Sequence, residues 1–171
     1  MTKPMSDTGA RRGEGLAIAI PPLPAEFLTR VRKHDEDALR QHPRRIVAEG
    51  GEPCRDVLRR ARPGEELILA SFSPFTLAGP YREYGPIFIL ARESDEDVRR
   101  DTLPLEGPGR YLRDQFVVRA YSAEEAIVDA TMVTPESALS TIDAFLQSQD
   151  IAFLHLRFPT YGCFACRIDR G

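Results

Sequence analysis

The stretch IAFLHLRFPTYGCFACRIDR (151–170) constrains the fold more than any other part of this chain. Side chains alternate between the two faces of a strand, so Leu154, Leu156 and Phe158 share one face of the first arm. Phe164, Cys166 and Ile168 share one face of the second. Both sets are apolar, and both belong against a core. The register that aligns them pairs Pro159 with Cys163 and leaves Thr160, Tyr161 and Gly162 as the loop. Such loops want glycine last, where φ is positive, and Gly162 is there. An antiparallel hairpin against a core is the expectation, with His155 directly across from Arg167.

The same reasoning runs upstream, where 14 prolines and 12 glycines cut the chain into short pieces. LAIAI (16–20) reads as a first short strand after a disordered tail, 1–15. PAEFLTRVRK (24–33) reads as an amphipathic helix, with Phe27, Leu28 and Val31 on one side and a further turn over 34–41. RRIVAE (44–49) and CRDVLRR (54–60) are strands around a Gly50-Gly51 turn, and ELILASF (66–72) is a buried strand. Residues 73–86, SPFTLAGPYREYGP, hold too many prolines and glycines for a regular element. Phe75, Tyr81 and Tyr84 make this an ordered loop that packs over something. IFILAR (87–92), YLRDQFVVRAY (111–121) and AIVDATMV (126–133) return to strand, and ESDEDVRRD (93–101) is a charged helical turn. Thr134-Pro135 starts a helix through about Gln147, with Leu139, Ile142, Phe145 and Leu146 inward. Strands dominate and do not alternate regularly with helices. The expectation is one α+β domain, 16–171, with a largely antiparallel sheet and a few helices.

Composition bounds the activities. A net charge of −3 argues against general affinity for nucleic acid or acidic membranes. No apolar run has the length of a membrane span, and 16–20 is too short for a signal-peptide core, so the expected location is cytoplasmic. Three cysteines build no disulfide framework. Cys163-Phe164-Ala165-Cys166 has the spacing of a metal or redox motif, but strand alternation sends its two thiols to opposite faces. On that reading they neither share a metal nor bond to each other. Cys166 is a small core residue, and no metal or cofactor is expected. Gly-rich phosphate loops, GxSxG, HExxH and paired CxxC motifs are absent.

The opposite face of the hairpin is polar. It carries His155, Arg157, Cys163 and Arg167; strand 111–121 presents Arg119 and Tyr121 on its own outer side. If these strands are neighbours, three guanidinium forks gather with an imidazole and a phenol, a set suited to a carboxylate or phosphate. Asp114, Asp129 and Asp169 are the acids expected to balance them. Cys54 and Arg55, at a strand start, and Tyr81 and Tyr84, from the aromatic loop, complete the candidate ligand site.

Five segments carry a resemblance: PCR (53–55), PGEELILASF (63–72), GPYREYGPIFI (79–89), FVVRAY (116–121) and FLHLRFPTYGCFACRIDR (153–170). Together they resemble a bacterial family catalogued as domain of unknown function 1203. The resemblance implies a compact single-domain bacterial protein and no catalytic residue; the second cysteine of the CxxC is not part of its pattern. Three functional expectations follow from the residues. The first is a small anionic molecule bound on the Arg/His/Tyr face, under the aromatic loop. A second is an interaction or homo-oligomerising module using that face. The third is a thiol or histidine enzyme acting through Cys163 or Cys54 with His155.

Overall fold

Two five-stranded sheets, each carrying one helix, account for residues 17–171, which the computed structural model describes. The tail expected to be disordered, 1–15, lies outside them. The elements in chain order are β1 (Ile18–Ala19), α1 (Ala25–Lys33), β2 (Arg44–Val47), β3 (Pro53–Cys54), β4 (Arg59–Arg60), β5 (Glu66–Phe72) and β6 (Gly85–Leu90), followed by β7 (Phe116–Tyr121), β8 (Ile127–Val133), α2 (Pro135–Gln147), β9 (Phe153–Arg157) and β10 (Phe164–Arg170). The first sheet has the order β1-β10-β9-β7-β8 and is antiparallel throughout. The second has the order β2-β5-β6-β3-β4 and is mixed, because β3 runs parallel to β6. The chain is thus mostly β with two helices, in a single compact domain. The sequence reading expects one sheet, and there are two.

Helix α2 lays Ala138, Ile142 and Leu146 on Phe116, Val118, Leu154, Leu156 and Ile168, the apolar face assigned from alternation. Its start is held by the Thr134 N–H, which donates to the Ser137 hydroxyl at 3.0 Å. Leu139, expected inward, is 58% exposed. Ala138, fully buried, takes the inward place. Helix α1 sets Phe27 and Val31 on Ile68, Ala70 and Phe72 of the second sheet. It ends at Lys33, and the expected continuation over 34–41 does not form: Asp35 and Arg40 take φ of 53° and 58°. Asp37 explains this, since its buried carboxylate accepts from the N–H groups of Leu39, Gln41 and Ser71, a tertiary tie to β5.

Three other segments depart from expectation. Residues 54–60 do not form one strand but fold back as the β3–β4 hairpin, turning at Leu58 with φ 51°. The turn is pinned by Asp56, which takes the Leu90 N–H at 3.2 Å and the Arg32 guanidinium at 2.7 Å. Residues 93–101 are not helical; Glu96 is drawn away to Arg59. Strand β7 begins only at Phe116, while Tyr111 and Leu112 are buried from an irregular approach.

The closing hairpin keeps its expected register along most of its length, with Arg167 opposite His155, Cys166 opposite Leu156 and Ile168 opposite Leu154. At the loop end it slips by one residue: Phe164 pairs with Arg157, leaving Ala165 as a bulge. The Phe158 N–H accordingly reaches Cys163 O at 3.0 Å, and the loop is Pro159–Gly162, still with Gly162 at φ 70°. The bulge is stabilised from outside the hairpin. Arg55 Nε donates to Phe164 O at 2.9 Å, and the Tyr111 hydroxyl donates to Ala165 O at 2.7 Å. Phe164 therefore leaves the face of Cys166 and joins that of His155, 5.1 Å ring to ring.

Candidate functional site

The polar face assembles where alternation puts it. β7 pairs with β9, and Arg119 and Arg167 flank His155 on the two neighbouring strands. The surroundings are drier than an open sheet face. His155 is fully buried, ringed by Phe75, Tyr121, Phe153 and Phe164 with centroids 4.7 to 5.2 Å away. Neither ring nitrogen has a hydrogen-bond partner in the protein. Burial, with the charges of Arg157, Arg167 and Arg119 added, pushes the imidazole well below its ordinary pKa, so it is neutral in the fold.

Loop 73–86 is what covers this face. Phe75 inserts against Tyr121 and His155, and Glu83 forms an ion pair with the buried Arg157, whose guanidinium also donates to Gly162 O at 3.0 Å. A second acid holds the loop start. The Glu125 carboxylate accepts from the Thr76 N–H at 2.9 Å, the Thr76 hydroxyl at 2.8 Å and the Leu77 N–H at 2.9 Å. Burial opposes its ionisation, but these donors outweigh it and hold the carboxyl below its ordinary range. Of the acids expected to balance the arginines, only Asp169 does so, at 2.7 Å from Arg167. Asp114 lies 3.9 Å from Arg110, and Asp129 bonds the N–H of Ala130. Glu83 and Glu125 escape sequence reasoning, since a loop and a turn carry no periodicity; an acid amid the aromatics of PYREYG was the only signal.

The remaining candidates scatter. Tyr121 is buried and stacked on Phe153, with its ring 10° from parallel. Tyr81 and Tyr84 are each 44% exposed, so of the three loop aromatics only Phe75 is packed away. Cys54 does not open toward the polar face. It is fully buried with Ala48, Val57 and Leu67 in the second sheet, and burial pushes its thiol up to about 12. Cys166 is likewise buried, its thiol also raised to about 12, while Cys163 is half-buried. The Ala165 bulge removes the strand parity that was expected to separate Cys163 from Cys166; all three remain free thiols. Among the described residues no three His, Cys, Asp or Glu side chains gather as they must to hold a metal ion.

Arg55 is the residue whose setting the sequence least foretells. It is 4% exposed and ties β3 to β10 through Nε, which donates to Phe164 O at 2.9 Å, while Nη1 donates back to Pro53 O of β3 at 2.6 Å. Its guanidinium also lies over the Phe158 ring, 5.1 Å from the centroid, with Arg60 4.9 Å from the same ring. Among the described residues no carboxylate comes within ion-pair distance of it. Burial accordingly lowers its pKa, with the nearby Tyr111 and three thiols opposing. Arg55 borders a cavity of about 340 Å³ between the Pro21–Pro24 segment, the start of loop 73–86 and the bulged part of β10. Arg167, Asp169 and Ser73 also line it, and the Ser73 hydroxyl is buried without a partner. A smaller cavity of about 230 Å³ adjoins it across Phe72 and Ser73.

Fold and site define a mostly β domain of two sheets, with an arginine-rich layer sealed by an ordered loop and a cavity beside it. The chain belongs to the family described as Protein of unknown function (DUF1203), whose model matches residues 51–170. That span holds Arg55, the loop and the whole polar face, but not the Pro21–Pro24 wall of the cavity. No curated protein and no solved structure matches the chain. Among the described residues no helix is long and apolar enough to cross a membrane.

Proposed function

We propose that this domain binds a small organic anion in the cavity beside Arg55. One observation carries the reading: a buried guanidinium whose hydrogen bonds go only to carbonyl oxygens stands at the wall of a cavity large enough for a ligand. Buried charges are ordinarily paired, and the same fold pairs Arg32 with Asp56 and Arg157 with Glu83. An anion in the cavity supplies the partner that Arg55 lacks. The reading moves the site about one strand away from the open face expected on alternation. Arg119 and Arg157 share Glu83, and Arg167 enters the cavity wall already paired with Asp169. A thermal-shift panel of phosphate, succinate and benzoate tests it, with chloride at matched ionic strength as the screening control. At least one member raises the melting temperature; binding to the folded state alone adds about 2.7 kcal/mol at a hundredfold excess over Kd. Arg55→Met abolishes that shift, and Arg92→Ala, an exposed site just beyond β6, keeps it. If every anion behaves as chloride does, the reading fails.

A second reading, self-association, has its own observation. β8 is the edge strand of the first sheet, and Val128 and Met132 on it are about half exposed. Light scattering across a concentration series separates the two: a dimer that Met132→Lys dissociates favours an edge-to-edge pair. Thiol catalysis has less support. Two of the three thiols are raised to about 12, and His155 makes no hydrogen bond to any of them.

A further inference from the structure

We infer that the ligand of this cavity is a monocarboxylate with a compact apolar body, an aryl or branched acyl acid, rather than a phosphate or a dicarboxylate. The inference rests on the anion reading above and narrows it through charge, lining and size. Three charged side chains border the cavity, Arg55, Arg167 and Asp169. Arg167 donates through Nε to Asp169 at 2.7 Å and covers the Phe153 ring at 3.9 Å, so these two residues cancel. One uncompensated cation remains, matched by one negative charge. A second charge on the ligand would meet the Asp169 carboxylate at close range, with no free cation to offset the repulsion.

The rest of the wall is mainly apolar. Phe72, Phe75, Phe164, Pro21, Pro22 and Leu58 all line the space. Such a lining rewards a hydrocarbon body and offers a phosphate's remaining oxygens few donors. The exception is Ser73, whose unpartnered buried hydroxyl is suited to the second carboxylate oxygen. At about 340 Å³ the cavity lies at the small end of ligand pockets, which suits a small ligand.

Calorimetric titration of the full chain with benzoate, benzyl alcohol, succinate and inorganic phosphate, at one ionic strength, separates the outcomes. Benzoate is expected to bind at least tenfold tighter than succinate, phosphate or benzyl alcohol. Ser73→Ala weakens benzoate severalfold, and Arg55→Met removes its binding. Because Arg55 also ties β3 to β10, Asp169→Asn is the second variant. Without that acid Arg167 is freed at the cavity wall, so succinate and phosphate are expected to gain at least tenfold more than benzoate does. If succinate or phosphate binds the unaltered protein as tightly as benzoate, in an Arg55-dependent way, the monocarboxylate inference is overturned and the anion reading stands. Benzyl alcohol matching benzoate, or no Arg55-dependent binding by any compound, overturns both.

Discussion

Lowering the pH should destabilise this domain by a calculable amount through His155. In the unfolded chain its imidazole titrates near 6.5, whereas in the fold it takes its proton much lower, because it is buried among aromatic rings beside three guanidinium groups. Between those two pKa values the unfolded state binds one more proton than the folded state, so stability falls as pH falls. The contribution is fully present above about pH 6.5 and is lost progressively below it. With the folded imidazole still neutral, unfolded-state protonation costs about 0.06 kcal/mol at pH 7.5 and about 1.4 kcal/mol at pH 5.5. For a domain of this size that difference is a fall of about 3–6 °C in melting temperature. Other titrating groups add their own pH dependence, so the measurement is a difference. Urea unfolding of the unaltered protein and of His155→Phe at both pH values isolates the imidazole, since phenylalanine keeps the aromatic packing and cannot titrate. The unaltered protein is expected to lose about 1.4 kcal/mol more than the variant between pH 7.5 and 5.5. Equal losses would mean that His155 is solvated or paired in the fold, and the sealed polar layer described above would be wrong.

Three further outcomes are expected. Tyr111→Phe leaves the Ala165 carbonyl of the bulge without its donor and costs about 1–2 kcal/mol by chemical denaturation; an unchanged midpoint would remove the tyrosine from the account of the bulge. A thiol reagent at pH 8 should label one cysteine quickly in the native protein and three after denaturation, and Cys163→Ser should abolish the fast one, since Cys54 and Cys166 are buried with thiols near 12. Two fast thiols would place a second cysteine at the surface. Glu83→Ala leaves the buried Arg157 charge without its carboxylate. It should lower stability by about 1–2 kcal/mol, less than for a fully buried pair because Glu83 is half exposed, and speed proteolysis within 73–86. Protection of the loop unchanged in that variant would show that Phe75 and Glu125 hold it without Glu83.

What the sequence determined by itself is what depends on near neighbours. Alternation along 153–157 and 166–168 was enough to put His155 opposite Arg167 and to send Leu154, Leu156 and Ile168 to the core. The 3.6-residue period and the Thr134-Pro135 start were enough for α2, and the proline and aromatic content of 73–86 for an ordered covering loop. Tertiary structure decided whatever hung on partners far along the chain. The bulge is satisfied by Arg55 at Phe164 O and Tyr111 at Ala165 O, from 109 and 54 residues away, so period-two counting runs through it and misplaces Phe164. The strand expected over 54–60 became a hairpin because Asp56 found Leu90 and Arg32. Glu83, rather than the acids of the strands, reached Arg157 because a loop folded back over the sheet. Local pattern reports which face a side chain turns to. Whether that face meets water, an aromatic cage or an empty cavity is decided by the segments that fold over it, and those contacts leave no period in the sequence.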